Sequence, residues 1–316
     1  MTNRNARELV LPAGAVCQLE PHELDDVQIV RSDGGRTVVE LPLEGLTIAG
    51  QEIEFEGIDF VWPPAGSEAG TGGSLPAMLT LRVGKARFVS CRFRAFGSSE
   101  TVAIRWQGTI DPSPAGLPTG QLEINRSVLE NVTAVQVQTY GAMALRATGT
   151  LHLGPGPLVR TSRCLAVDEP LAIALERCTL RGAQAVLDCK YARLERSPGT
   201  VTIHTADCVL AGDEGSLLLL RGADSPEPWL PMFSWRGQGS VMQDTLEVLA
   251  WQDNAGDGQP IDESRLRIEG LVRSALEFAG PAGAGPAASR LVRCLAPLRS
   301  TELPGVQGSS LPNERP

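Results

Sequence analysis

The sequence predicts an all-β fold, a right-handed parallel β-helix whose coils stack into a solenoid with inserted loops. Three observations predict it. Apolar residues alternate in short runs instead of recurring at helical spacing, and 34 glycines and 23 prolines punctuate those runs. Several runs share a pattern: two inward places two apart, a two-residue corner, then two more inward places two apart. The inward set therefore falls at places one, three, six and eight, and three of only seven cysteines occupy the sixth.

Five segments carry the pattern: Ile53, Phe55, Ile58, Phe60; Ala86, Phe88, Cys91, Phe93; Leu122, Ile124, Ser127, Leu129; Ile173, Leu175, Cys178, Leu180; Ile203, Thr205, Cys208, Leu210. Two of them put a polar residue inside. Apolar matches alone decide little, because about ten would arise by chance in a chain of this length and composition. The sixth place discriminates better: Cys91, Cys178 and Cys208 fill it in three copies and Ser127 in a fourth. Ser90-Cys91-Arg92-Phe93-Arg94 also resembles Arg177-Cys178-Thr179-Leu180-Arg181. This reads as a stacked ladder of small, inward side chains, with its thiols reduced and buried.

The outward places give an independent check. Superposing the first two copies sets Glu52 over Lys85, Glu54 over Arg87 and Asp59 over Arg92, all opposite in charge. At the inter-strand spacing of about 4.8 Å such pairs help fix register, each by about 0.2–1 kcal/mol.

A further strand-like run follows most copies, at 78–83, 102–106, 135–137, 186–189 and 217–220, which gives about three strands per coil. The copies start 33, 36, 51 and 30 residues apart, and the long interval predicts a degenerate coil around Leu145 to Leu153. Loops rich in Gly, Pro, Ser or Asp are expected at 63–76, 108–120, 222–231 and 253–262. Leu266, Ile268 and Leu271, before Arg273, read as a last imperfect coil, and 279–288 as a small-residue connector. The organisation expected is an N-terminal cap with first strands over 1–40, the β-helix over 41–300 and a loose tail over 301–316. A β-sandwich would favour tight Asn-Gly or Asp-Gly hairpins, and only Asp33-Gly34 and Asp257-Gly258 offer that dipeptide.

Composition removes several function classes. A net charge of −9 repels phosphate backbones and anionic lipid surfaces, and 4% aromatic residues leave few stacking platforms. No apolar run approaches the roughly 20 residues of a membrane span, and the N-terminal residues lack a signal peptide's apolar core. Cys17, Cys91, Cys164, Cys178, Cys189, Cys208 and Cys294 include no CxxC pair, which suits a reducing cytoplasm better than a disulfide framework or zinc site. The expectation is a cytoplasmic monomer, or a piece of a larger membrane-linked protein, without nucleic-acid or membrane partners.

Across roughly 41–278 the chain resembles the right-handed parallel β-helix superfamily, also called pectin-lyase-like. More narrowly, the strings Ile53-Glu54-Phe55-Glu56-Gly57-Ile58-Asp59-Phe60-Val61-Trp62, Val102-Ala103-Ile104-Arg105-Trp106 and Leu151-His152-Leu153-Gly154-Pro155-Gly156-Pro157-Leu158-Val159 are similar to β-helix regions that follow serine/threonine kinase domains in some bacterial proteins. That resemblance implies a non-catalytic accessory or interaction module. Kinase activity does not carry over: Asp59-Phe60-Val61 is not Asp-Phe-Gly, and the glycine-rich and His-Arg-Asp loops are missing.

The superfamily's polysaccharide lyases and hydrolases make carbohydrate chemistry the alternative. Such an enzyme needs paired carboxylates across one bond, or clustered carboxylates holding calcium beside a base. Glu52, Glu54, Glu56 and Asp59 form the densest acidic strip, but Lys85, Arg87 and Arg92 face it. Asp25-Asp26 precedes the coils, and the pectin hydrolases' Asn-Thr-Asp, Asp-Asp and Gly-His-Gly set is lacking. Of His22, His152 and His204, His204 stands three residues before Asp207 on a proposed coil, which suits a strand-edge histidine bonding its neighbours better than a His-Asp dyad, and no nucleophile elbow accompanies it. Cys208 adjoins Asp207 but is placed inward, as an inert thiol. Trp62, Trp106, Trp229, Trp235 and Trp251 could line a sugar groove or cover coil ends. No catalytic, cofactor-binding or metal-binding residue is nominated; the function expected is a scaffold with an unidentified protein or glycan partner.

Overall fold

Three ladders of parallel strands wind around one apolar core. The computed structural model describes residues 7–24, 26–62, 75–96, 101–108, 120–138, 141–163, 165–167, 169–183, 185–190, 198–212, 215–222, 225–253, 258–281, 284–295 and 303–306. Much of the expected loops, 63–74, 109–119, 223–224 and 254–257, lies outside these residues, as do Asp25 and Cys164. The first ladder runs from Glu8–Pro12 through Glu52–Glu56, Lys85–Val89 and Val201–Ala206 to the start of Arg267–Ser274. The second runs from Val16–Cys17 through Ile58–Trp62 and Thr179–Arg181 to the second half of Phe233–Gln243. The third runs from Leu46–Ala49 through Val102–Trp106 to Glu247–Gln252. The segment expected as cap and first strands thus supplies strands from Glu8 onward, and Pro21–Leu24 lies against Leu46–Ala49 with Leu24 buried.

The inward places stack as the repeat requires. Ile53, Ala86, Leu122, Leu145, Ile173, Ile203, Trp235 and Ile268 follow one another at place one. Phe60, Phe93, Leu129, His152, Leu180, Leu210 and Met242 do so at place eight. The degenerate coil is real, with Leu145, Ala147, Thr150 and His152 as its inward set, all buried. The first two copies hold a phenylalanine cluster: Phe55 stacks on Phe88 at 5.3 Å and Phe60 on Phe93 at 5.0 Å, with edge-on contacts between the stacks. Every third-strand run named from sequence is a strand, joined by Val159–Thr161 in the degenerate coil.

The corner explains the sixth place. The residue just before the sixth place is left-handed in eight consecutive coils, Gly57, Ser90, Arg126, Gly149, Arg177, Asp207, Gly239 and, in a last coil shortened by two residues, Gly270, with φ between 49° and 71°. That bend brings the carbonyl two residues before the sixth place within reach of the sixth side chain. Ser127 Oγ donates to Asn125 O at 2.9 Å, Thr150 Oγ1 to Thr148 O at 3.2 Å, Cys178 Sγ to Glu176 O at 3.4 Å and Cys208 Sγ to Ala206 O at 3.3 Å. Serine in the following coil also accepts a backbone N–H from the one before: Cys91 N to Ser127 Oγ and Cys208 N to Ser240 Oγ, both at 3.1 Å. Small side chains with one donor thus fill this place in six consecutive coils, adding a second bond to carbonyls that already accept a backbone N–H, while the fully buried Ile58 fills it in the first copy. The other inward polar residue, Thr205, accepts from Trp235 Nε1 at 3.1 Å.

The two Asp-Gly dipeptides part company. Asp33-Gly34 turns the chain between strands of different ladders, Ile29–Asp33 and Thr37–Glu40. Gly258–Pro260 pairs antiparallel with Glu247–Gln252 at the end of the third ladder, while Asp257 lies outside the described residues. A hairpin joins Leu276–Phe278 to Leu291–Cys294 across the connector.

Candidate functional site

A stacked coil exposes one outward face per ladder, and the three faces differ in charge. On the first, Glu54, Arg87, Glu123, Arg146, Ala174, His204, Arg236 and Glu269 lie one above another. Arg87 reaches Glu54 at 3.3 Å and Glu123 at 3.5 Å, Lys85 reaches Glu52 at 2.5 Å, and Arg146 reaches Glu176 at 3.4 Å. These exposed pairs stabilise little individually but oppose a shift of register. Two of the three charge pairs read from sequence form. Asp59 lies over Arg92 as expected, yet its carboxylate is bonded by Arg36, while Arg92 clasps Glu130 at 2.8 and 2.9 Å. Burial alone would raise the Glu130 pKa, but Arg92, with Arg94 at 3.1 Å, holds it below the usual carboxylate value. The densest acidic strip is thus charge-compensated.

The second face is apolar where Val128, Leu151, Leu153, Val209 and Val241 point outward, and the chain covers it itself. The Leu276–Phe278 hairpin lies over Val209, Ala211 and Val241, and Val306 packs on Val128, Leu151 and Leu153. Arg181 fastens the hairpin, donating to Ala288 O at 2.8 Å and Gly280 O at 2.6 Å with its guanidinium 4.2 Å from the Phe278 ring centroid. Leu303–Val306, within the stretch expected as a loose tail, is therefore docked.

The third face is cationic. Its outward places carry Arg82, Arg105, Arg160, Lys190 and Arg221, interleaved with Gln107, Gln136, Gln138 and Gln252; among the described residues of these strands the carboxylates are Asp188 and, exposed at the start of the last strand, Glu247. Asp188 is buried between Arg160 Nε and Arg221 Nε, both at 2.8 Å. Amides link the rest: Arg82 to Gln107 at 2.8 Å, Gln107 to Gln138 at 3.2 Å and Arg105 to Gln136 at 3.0 Å. Arg82 and Lys190 are exposed. In a chain of net charge −9 this strip runs opposite to the whole. Sequence reasoning located these strands but not their outward residues; reading alternate places along the third-strand runs would have found them.

The residues weighed for chemistry do not assemble a reactive centre. His204 is exposed on the first face, Asp207 sits in the left-handed corner, and among the described residues they share no hydrogen bond. His22 lies in the short Pro21–Leu24 turn, exposed. His152 is fully buried, with Nε2 3.0 Å from Val132 O and Nδ1 without a partner; burial pushes its pKa down to about 4. Burial pushes the Cys91 thiol up to about 12, and burial together with the adjacent Cys178 raises Cys208. Trp62, Trp106, Trp229 and Trp235 are buried and Trp251 is partly so, which corrects the idea of a tryptophan-lined sugar groove: these rings fill the solenoid. Among the described residues no group of three or more His, Cys, Asp or Glu could hold a metal ion, and no helix is long and apolar enough to cross a membrane. No family model, curated protein or solved structure matches the chain.

Proposed function

We propose that this chain is a non-catalytic β-helix interaction module that presents its third outward face to an acidic protein segment. The exposed cations of that face carry the reading: among the described residues Arg82 and Lys190 stand exposed there, and the carboxylate beside them, Asp188, is buried between two arginines, in an otherwise acidic molecule. The other two faces offer less, one being charge-compensated and the other covered by the chain's own C-terminal residues. Burial of the tryptophans favours a protein over a glycan, because sugar rings bind best against exposed aromatic faces. The similarity to β-helix regions that accompany bacterial kinase domains, and to the pectin-lyase-like superfamily at large, supports an accessory role and is part of this proposal.

Polyglutamate and polygalacturonate serve as probes in calorimetric titrations at increasing salt. Polyglutamate should bind, weaken as salt screens the face, and lose about tenfold in affinity with the exposed pair changed, Arg82→Glu and Lys190→Glu together. Polygalacturonate should stay intact with calcium present. Its cleavage would transfer the reading to a polysaccharide-acting enzyme, and equal polyglutamate binding by the double variant would end the assignment of this face.

A further inference from the structure

The segment Leu303–Val306 crosses the outward face of the second ladder, passing from the later coils toward earlier ones. Its Val306 enters a seat made by Val128, Leu151 and Leu153, residues of two neighbouring strands. Leu303 packs on the cluster of Val209, Ala211, Val241 and Leu276. Between them the backbone is read directly: Gly305 N donates to Asp207 O at 2.6 Å and Val306 N to Thr179 Oγ1 at 3.0 Å. Gly305 has φ +92°, and a Cβ there would lie 2.6 Å from Thr179 Oγ1 and 2.7 Å from Val209 Cγ2. The position thus excludes every side chain twice, by backbone conformation and by space. An apolar residue, a proline, an obligatory glycine and a β-branched residue, bent at Pro304 and Gly305, are what this surface accepts.

A cavity of about 330 Å³ adjoins the cluster that Leu303 packs against, lined by Ala211, Leu276 and Phe278 with Arg181, Gln243 and Gly280. A segment selected only to seal an apolar strip has no need of a glycine-specific reading.

We propose that the outer face of the second ladder is a peptide-docking groove that Leu303–Val306 occupies in cis, and that its partner is a protein segment of the same chemistry and the same bend, apolar-Pro-Gly-Val. This is independent of the third-face reading. In cis the segment competes at an effective concentration on the millimolar scale, so a partner engages the groove when the segment is displaced.

The test uses a fluorescent peptide spanning residues 300–309 and a control peptide with Gly305→Ala. The receptors are the full chain, the full chain with Gly305→Ala, and a chain ending at residue 302; circular dichroism follows their β-structure. Both released chains should bind the wild-type peptide at least about tenfold more tightly than the full chain does, by fluorescence anisotropy, and should discriminate against the control peptide by a similar factor. Equal binding of the two peptides, or no binding to either released chain at about 1 mM peptide, overturns the proposal. Released chains that pair with one another and ignore the peptide would assign the strip to a second copy instead. Loss of the β-helix spectrum in both would make the segment a fixed structural part, which also overturns it.

Discussion

Lowering the pH from 7 to 4 in parallel on this chain and its His152→Leu variant isolates the cost of charging one buried imidazole. The ring stands at place eight of the degenerate coil, stacked between Leu129 and Leu180, where its fully buried position forbids a hydrated charge. Burial lowers its pKa from 6.5 to about 4, opposed only in part by the Val132 carbonyl. At about 1.4 kcal/mol per pH unit, that difference corresponds to about 3 kcal/mol. The sign follows from which state takes the proton. The unfolded imidazole protonates near 6.5 and the folded one only near 4, so the neutral ring's contribution is whole above pH 6.5 and is lost as the pH falls through that window. Leucine is the suitable replacement because Leu129, Leu180 and Leu210 fill the same place in other coils. Urea unfolding at half-unit steps of pH should show the two chains diverging below 6.5, the native chain losing about 3 kcal/mol more by pH 4. Carboxylates titrate in both and cancel in the difference. Parallel stability curves would refute a neutral, dry imidazole at this position.

Three more expectations rest on the corner. Cys178→Ser should keep the donor to Glu176 O and cost about 1 kcal/mol or less, whereas Cys178→Arg should cost several, by calorimetric melting. Native Cys91, Cys178 and Cys208 should alkylate far more slowly than after denaturation, and fast native labelling of all three would refute the inward ladder. At the left-handed place, Gly57→Ala should destabilise by about 1–2 kcal/mol, the more so because its Cβ would stand 3.0 Å from Gly35 O, while Arg177→Gly should stay within about 1 kcal/mol of the native chain.

The repeat was legible because register in a parallel ladder is absolute: one residue of slip would turn Phe55 and Phe88 outward together. Cysteine at the sixth place was visible as an oddity of composition, but its reason was not, since the left-handed conformation of Ser90, Arg126, Arg177 and Asp207 has no signature in those residue types. The degenerate coil could be placed but not resolved, because Ala147, Thr150 and His152 offer too little apolar contrast at three of its four places. Asp59 misled for another reason: superposing neighbouring copies gives the residue above, and Arg36, from the preceding coil, was not aligned with it. The docking of Leu303–Val306 depends on contacts more than a hundred residues away, such as Val306 N with Thr179, which no local pattern carries. The cationic face lay in plain view in the third-strand runs and needed only alternate residues read as a column.

Because places one, three, six and eight recur unchanged from the coil of Ile53 to that of Trp235, the number of these coils is not written into their packing. Excising residues 143–170 would lay Leu171–Glu176 directly on Gly120–Asn125, with Leu122 meeting Ile173, Ile124 meeting Leu175 and Leu129 meeting Leu180, all pairings of a kind the solenoid already contains. Such a deletion would take His152 with it, and with Leu151 and Leu153 most of the seat of Val306. Over evolutionary time a coil can thus be gained or lost without disturbing its neighbours, and the features at risk are those that span several coils, the docked C-terminal segment and the cationic strip.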